Sequence, residues 1–434
     1  MRAYDVILKK RNGGKLSKEE LEFMVMGYVK GEIPDYQMSA FLMAVYFRHM
    51  DEEERAILTE IMARSGDMVD LSDIPGKIVD KHSSGGVGDK TTLVVAPLVA
   101  SLGIPIAKMS GRALGHTGGT IDKLESIPGF KTSLTLEEFK ENVKKYGIAI
   151  AGQTANLAPA DKKIYALRDA TATVDEVSLI ASSIMSKKLA GGADAFVLDV
   201  KAGSGAFMKT IEDARELAKA MVGIAKSHSK DAVALITNME EPLGRFVGNS
   251  LEVKEAIDTM KGKGDEKFVE LCIELSSYMV ELSGKMSREE ALPLLKENLV
   301  NGKALEKFRD LVKAQGGDER VVEDPDLVLP IAKETVDVKA ETSGYVVSID
   351  TEKVGIASMV LGAGRKRKED EIDHSVGIEV FKKIGDEVEK GEPLVRLYVS
   401  EKSDVEEAIS LIKKAYRISS ERVDKLPVIF DVVR

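Results

Sequence analysis

The chain predicts a mixed α/β and α+β protein: a small discontinuous helical domain, a larger α/β domain with a mostly parallel sheet, and a C-terminal α+β module. Three observations lead there. Residues 1–65 carry apolar side chains at helical intervals. From residue 77, short apolar runs alternate with helical stretches, which is the signature of a parallel sheet. From residue 336, the pattern changes to short β-like pieces joined by turn-rich links.

Within 1–65, Ser17-Lys18-Glu19-Glu20 has the spacing of a capping box, and Leu21, Val25 and Tyr28 recur on one face behind it. A second helix is expected from Pro34, which suits a first turn, through Met38, Phe41, Leu42 and Val45. A third runs from Asp51 through Ile57, Leu58 and Ile61 towards Gly66. Residues 66–76, dominated by Asp, Ser, Pro and Gly, read as a hinge. Strands are then expected at 77–80, 104–108, 148–151, 195–200 and 232–237, so that the α/β domain occupies 77–154 and 194–335. Two helical runs, 164–168 and 178–191, interrupt it, and 155–193 is expected to rejoin the helical layer. The module 336–434 carries β-like runs at 344–349, 377–381 and 394–399.

In open parallel sheets, ligands bind beyond the carboxyl ends of the strands. The residues expected there are Lys81-His82-Ser83, Lys108-Met109-Ser110, Gln153-Thr154, Lys201 and Asn238. The net charge of −10, with no long basic stripe, argues against nucleic acid as a partner. The run Arg365-Lys366-Arg367-Lys368 is followed at once by Glu369-Asp370-Glu371 and reads as a solvated loop. Cys272 is the single cysteine, which excludes an intrachain disulfide and a cysteine metal cluster. With no signal-peptide core and no apolar run of bilayer length, a cytoplasmic protein without a membrane partner is expected.

Two glycine-rich stretches carry the chemistry. Lys81-His82-Ser83-Ser84-Gly85-Gly86-Val87-Gly88-Asp89-Lys90-Thr91-Thr92 lies between an expected strand and a buried helix, where backbone N–H groups and a helix N-terminus face an anion. It is not a Walker A loop, because Asp89 rather than glycine precedes Lys90-Thr91. The second stretch runs from Lys108 to Glu125, is again dense in glycine and hydroxyls, and contains His116. Two such loops at neighbouring strand ends can enclose one oxyanion such as phosphate. A third group is Arg168 with Ser183 and Lys187, the last two being four residues apart on one helix face. Histidine and cysteine spacings for a transition metal are absent, as is a Gly-x-Ser-x-Gly elbow.

The run Ser110-Gly111-Arg112-Ala113-Leu114-Gly115-His116-Thr117-Gly118-Gly119-Thr120-Ile121-Asp122-Lys123-Leu124-Glu125 resembles the signature of the thymidine and pyrimidine-nucleoside phosphorylases. Lys81 to Asp89, Gly152-Gln153-Thr154, Leu157-Ala158-Pro159-Ala160-Asp161-Lys162, Tyr165-Ala166-Leu167-Arg168-Asp169, and Asp199-Val200-Lys201 through Gly205-Ala206-Phe207-Met208 fit the same family in order. The resemblance implies a homodimer that phosphorolyses pyrimidine nucleosides reversibly in a cleft between its two domains. Inorganic phosphate would be the co-substrate, and no cofactor would be required for the chemistry. It implies phosphate contacts from Lys81, His82, Ser83, Thr92, Lys108, Met109, Ser110 and Thr120. Base contacts would come from Arg168, Ser183 and Lys187, with His82, Arg168 and Lys187 catalytic. Some relatives also hold a structural monovalent cation such as K+. The matching positions are Gly88, Lys90, Leu243, Phe246 and Glu255, with Lys90 and Phe246 standing where Thr and Ala are familiar. The alternatives are a strict thymidine phosphorylase and, more distantly, a phosphoribosyltransferase of related fold, which would need a diphosphate and magnesium.

Overall fold

Four helices open the chain: α1 (Ala3–Arg11), α2 (Lys18–Lys30), α3 (Asp35–Arg48) and α4 (Glu52–Ala63). Their starts follow from local chemistry. Ser17 accepts the Glu20 N–H while the Glu20 carboxylate accepts the Ser17 N–H, and Asp51 and Glu54 repeat the exchange at α4. Each such cap contributes ~1 kcal/mol. Pro34 is the N-cap of α3 rather than a residue of its first turn. The structure, a computed structural model, describes residues 1–112, 118–365, 367 and 370–434. Lys366, Lys368 and Glu369 of the expected solvated loop lie outside the described residues, and Arg365 at its start reaches Asp122 at 3.0 Å.

The α/β body begins with β1 (Val79–Ser83), α5 (Thr91–Ala100), β2 (Ile106–Ser110), α6 (Thr120–Leu124), α7 (Leu136–Tyr146) and β3 (Ile148–Gly152). Helices α8 (Pro159–Ala170) and α9 (Val177–Ala190) follow. The body resumes with β4 (Ala195–Ala202), α10 (Ile211–Ser227), β5 (Asp231–Asn238), β6 (Phe246–Val247), α11 (Asn249–Met260), α12 (Glu266–Ser283), α13 (Arg288–Val300) and α14 (Lys303–Ala314). All five expected strands exist. The first runs further than its apolar stretch, because the backbone of Lys81, His82 and Ser83 stays in register with Val197, Leu198 and Asp199. The sheet is divided: β1, β4 and β5 run parallel in one, while β2 and β3 form a separate parallel pair.

The C-terminal part adds α15 (Pro325–Val328), β7 (Glu334–Lys339), β8 (Gly344–Ile349), α16 (Thr351–Ser358), β9 (Gly377–Val380), β10 (Glu387–Val388), β11 (Pro393–Val399), α17 (Val405–Ala415), β12 (Tyr416–Ser419) and β13 (Ile429–Val433). Its sheets are β10-β8-β12 and β6-β9-β11-β7. The chain crosses between body and module in both directions. β6 of the body pairs with β9, and β13 returns to lie antiparallel on β5. One hydrophobic core runs through both, from Leu93 and Leu271 to Val380 and Ile412.

The site is positioned by α5 and α9. All ten residues of α5 are buried, as a helix apolar on every side requires, so its N-terminus is fixed at the sheet edge. Leu179 of α9 joins the core of α1–α4 together with Ala160 and Ile164 of α8. Further along α9, Ala181, Met185 and Ala190 pack into the core of the α/β body. α9 therefore belongs to both bodies and lies along the cleft between them. Among the described residues, no helix is long and apolar enough to cross a membrane.

Candidate active site

A cleft of about 600 Å³ opens between the strand ends and helices α8 and α9. On the strand side it is lined by His82, Ser83, Thr92, Lys108, Met109, Ser110 and Thr120. Seven of the eight residues expected around a phosphate thus share one wall. The eighth, Lys81, does not reach it. Lys81 is 2% exposed and turns inward, donating to Thr91 Oγ1 and lying 3.4 Å from Asp199. It sets the charge behind the wall. Residues Ala113 to Thr117, including His116, lie outside the described residues.

The wall is built around buried charge. Asp80 of β1 accepts from Lys108 at 3.3 Å and from Lys188 of α9 at 2.7 Å. Burial alone would raise its pKa, but the two ammonium groups outweigh it and hold the carboxyl below its usual range. Lys108 also donates to the Lys81 carbonyl at 2.5 Å, which bridges the gap between the two parallel sheets. Burial pushes Lys108 down to about 7, with Asp80 pulling it up and Lys188 and Lys81 pushing it further down. His82 is held well below its ordinary pKa, first by burial and then by Lys188, Lys108, Lys81 and Lys187. Its imidazole is therefore neutral near pH 7, and its buried Nε2 has no hydrogen-bond partner among the described residues. Asp89 holds the loop hydroxyls, accepting from Ser83 Oγ and from Thr91 Oγ1 at 2.6 Å.

The opposite wall comes from α8 and α9. Arg168 is 1% exposed, and its Nε, Nη1 and Nη2 donate to the carbonyls of Thr173, Leu179 and Val174. Three of its five N–H groups thus hold the α8–α9 turn in place, leaving two for a ligand. Lys187 lies 3.1 Å from Ser183 Oγ and pairs with Asp161 of α8. Tyr165, Ile180 and Ile184 supply the apolar surface between these groups, and Phe207 and Met208 face the cleft from the loop after β4.

Three participants are not singled out by the sequence reading. Asp80 and Asp161 orient Lys108 and Lys187, and Lys188, which itself lines the cleft, shares Asp80 with Lys108. Asp80 has a visible signal, a carboxylate between the apolar pair Ile78-Val79 and the polar run Lys81-His82-Ser83. Conversely, Lys201 and Asn238, expected at strand ends in the site, are turned away from it. Lys201 is fully buried against Asp199 at 2.7 Å, and the Asn238 side chain accepts the Glu240 N–H at 2.8 Å. Cys272 is buried, and its thiol is pushed far above its normal range by that burial, which suits a core residue rather than a nucleophile.

The five positions matched to a monovalent cation do converge, but the Lys90 ammonium itself stands among their oxygens. It donates to the carbonyls of Leu243 and Phe246 and pairs with Glu255. Among the described residues, no group of three or more His, Cys, Asp or Glu side chains is placed to hold a metal ion.

A helical bundle set against an α/β body, with a cleft lined by hydroxyls and lysines between them, is the architecture of the glycosyl transferase family. Family models agree: residues 4–66 match the helical bundle domain and 75–305 the a/b domain of the glycosyl transferase family. Residues 345–419 match the pyrimidine nucleoside phosphorylase C-terminal domain. The fold alone is similar to anthranilate phosphoribosyltransferase from Thermus thermophilus, with a TM-score of 0.58 and 18% identity, over 72% of this chain and 99% of that one. In sequence, the chain is 57% identical to pyrimidine-nucleoside phosphorylase of Bacillus subtilis (strain 168), covering 97% of both chains. It is 55% identical to that of Geobacillus stearothermophilus over the whole of both. The chain belongs to the pyrimidine-nucleoside phosphorylase family.

Proposed function

We propose that the chain catalyses reversible phosphorolysis of pyrimidine nucleosides, accepting uridine, deoxyuridine and thymidine. The products are the free base and (deoxy)ribose 1-phosphate. The observation that carries this reading is the division of the cleft. Hydroxyls, loop amides and Lys108 line one wall, while Arg168, Ser183 and Lys187 line the other. Inorganic phosphate is the co-substrate, and no cofactor is needed for the chemistry.

The reaction breaks the bond between C1′ and the ring nitrogen and forms one between C1′ and a phosphate oxygen. The bonding pair leaves with the pyrimidine and spreads onto its carbonyl oxygens, and the hydrogen of hydrogen phosphate ends on the base. Cations matter most where charge develops, so Lys187 and the two remaining N–H groups of Arg168 stabilise the departing base. A neutral His82 can donate one hydrogen bond to a base carbonyl but is not a charged acid at pH 7. The phosphate oxygens balance the positive character of the sugar. Closing the two walls on each other excludes water, the competing nucleophile.

The family resemblance also suggests a homodimer, and the helical layer offers a face for it. Tyr36, Met43 and Phe47 are exposed along one side of α3, with Tyr4 exposed on the adjoining α1. The single unpaired cysteine fits a reducing cytoplasm. Initial rates with uridine, deoxyuridine and thymidine, each with and without phosphate, test the function. Phosphate-dependent base release from all three is expected. Negligible uridine turnover would restrict the enzyme to thymidine, and activity only with a diphosphate and magnesium would overturn the reading.

A further inference from the structure

The loop bearing Asp89, Thr91 and Thr92 is braced from behind by one ammonium group. Lys90 is 1% exposed, and its Nζ donates to the Leu243 carbonyl at 2.8 Å and the Phe246 carbonyl at 2.9 Å. It also pairs with the Glu255 carboxylate. The Phe268 ring lies with its centroid 5.3 Å from Nζ, within the range at which a ring face attracts a cation. Backbone carbonyls and a carboxylate, closed off from solvent, are the surroundings of a dehydrated monovalent cation. Here that cation is covalently part of the chain.

The remaining capacity of this cage is already used. Glu255 accepts the Arg245 N–H at 2.7 Å and the Phe246 N–H at 2.9 Å. The Gly88 carbonyl accepts the N–H of Lys90 itself at 3.0 Å. Space is closed as well. A Cβ at Gly88 would stand 2.6 Å from the Leu243 oxygen, and one at Gly244 would stand 2.7 Å from Lys90 Nζ. A metal ion among these oxygens would face the ammonium without water to screen the two charges. The residues present do not fit one.

We propose that Lys90 replaces a bound monovalent cation: its ammonium clamps the phosphate-side loop to the 243–255 segment, and the folded protein takes up no K+ there. Gly88, Leu243, Phe246 and Glu255 then form a site for a tethered cation. The inference rests on the cage and not on the catalysed reaction, so its primary readout is thermal stability.

The experiment compares thermal unfolding in potassium chloride and in tetramethylammonium chloride at equal ionic strength, for the natural chain and for Lys90→Thr. The natural chain is expected to unfold at the same temperature in both salts. Lys90→Thr opens the cage to a free ion. It is expected to lose several degrees in tetramethylammonium and to recover most of that loss in potassium. Its phosphate KM is expected to rise several-fold without potassium and to recover with it, with kcat changed less. A natural chain stabilised by potassium over tetramethylammonium would overturn the proposal. So would a Lys90→Thr variant equally destabilised in both salts, since Lys90 would then be only one half of a buried ion pair. If the variant does not fold, the natural chain's comparison decides alone, with a salt-independent midpoint supporting the proposal.

Discussion

Lys108 carries two opposed demands: it faces the cleft where an anion is expected, yet it is buried among other lysines. Burial pushes it down to about 7. Below that pH the ammonium is present and draws phosphate in. As pH rises through about 7, the free enzyme loses this proton, so phosphate binding must recapture it. The phosphate KM is therefore expected to climb with pH above about 7. Lys108→Met is expected to show a high phosphate KM without that climb, and the same climb in the variant would assign the titration to another group. The sign for stability is separate. The folded pKa lies below the ordinary lysine value of 10.5, so folding releases a proton between the two, and this contribution to stability rises with pH across that window. His82 is already neutral and adds no inflection near its ordinary pKa. At this scale the sequence disclosed most of the residues that face the cleft, but not the inward turn of Lys81, Lys201 and Asn238 and not what orients the lysines. The partners Asp80–Lys188 and Asp161–Lys187 are 108 and 26 residues apart, and only the folded chain brings them together.

At the scale of elements, the joints between the helical layer and the α/β body are as specific as the walls of the cleft. The chain passes between them after α4, after β3 and after α9, and the first and last of these joints are glycine-tight. A Cβ at Gly66 would lie 1.9 Å from the Asn156 oxygen and 2.4 Å from Pro159 Cδ. One at Gly192, where φ is +81°, would lie 2.3 Å from the Val69 oxygen. The Asp67 N–H donates to Asn156 at 3.0 Å and the Val69 N–H to Ala190 at 2.8 Å, so neither segment can simply move aside. Gly66→Ala is expected to cost ~1–3 kcal/mol of stability through this overlap, read as a lowered unfolding temperature; an unchanged midpoint would mean the approach is not that close.

Apolar periodicity and capping chemistry made the helices legible, and five short apolar runs made the body strands legible. The division of the sheet was not legible, because a strand's neighbours are set by long-range register and not by its own composition. Nor is β13 marked in the sequence. Ile429–Val433 is partly exposed along its length and includes Asp431, so it lacks the buried run that marks the central strands.

For the whole molecule, the helical layer presents its largest exposed apolar side chains on one face, with Tyr36 75% and Phe47 70% exposed. Sedimentation is expected to give twice the 47.2 kDa of one chain. A double substitution, Tyr36→Glu with Phe47→Glu, is expected to shift the protein towards monomer without lowering its helical content. A natural chain sedimenting as a monomer at micromolar concentration would contradict the dimer.

The two walls, taken together across the whole molecule, lead to one central claim: phosphate held on the strand side, and not water, attacks a nucleoside held on the helical side. Phosphorus NMR of thymidine incubated with inorganic phosphate and the protein tests it most directly. The predicted result is a pentose 1-phosphate resonance growing in step with free thymine, with no thymine released when phosphate is omitted. Thymine released equally fast without phosphate would contradict it.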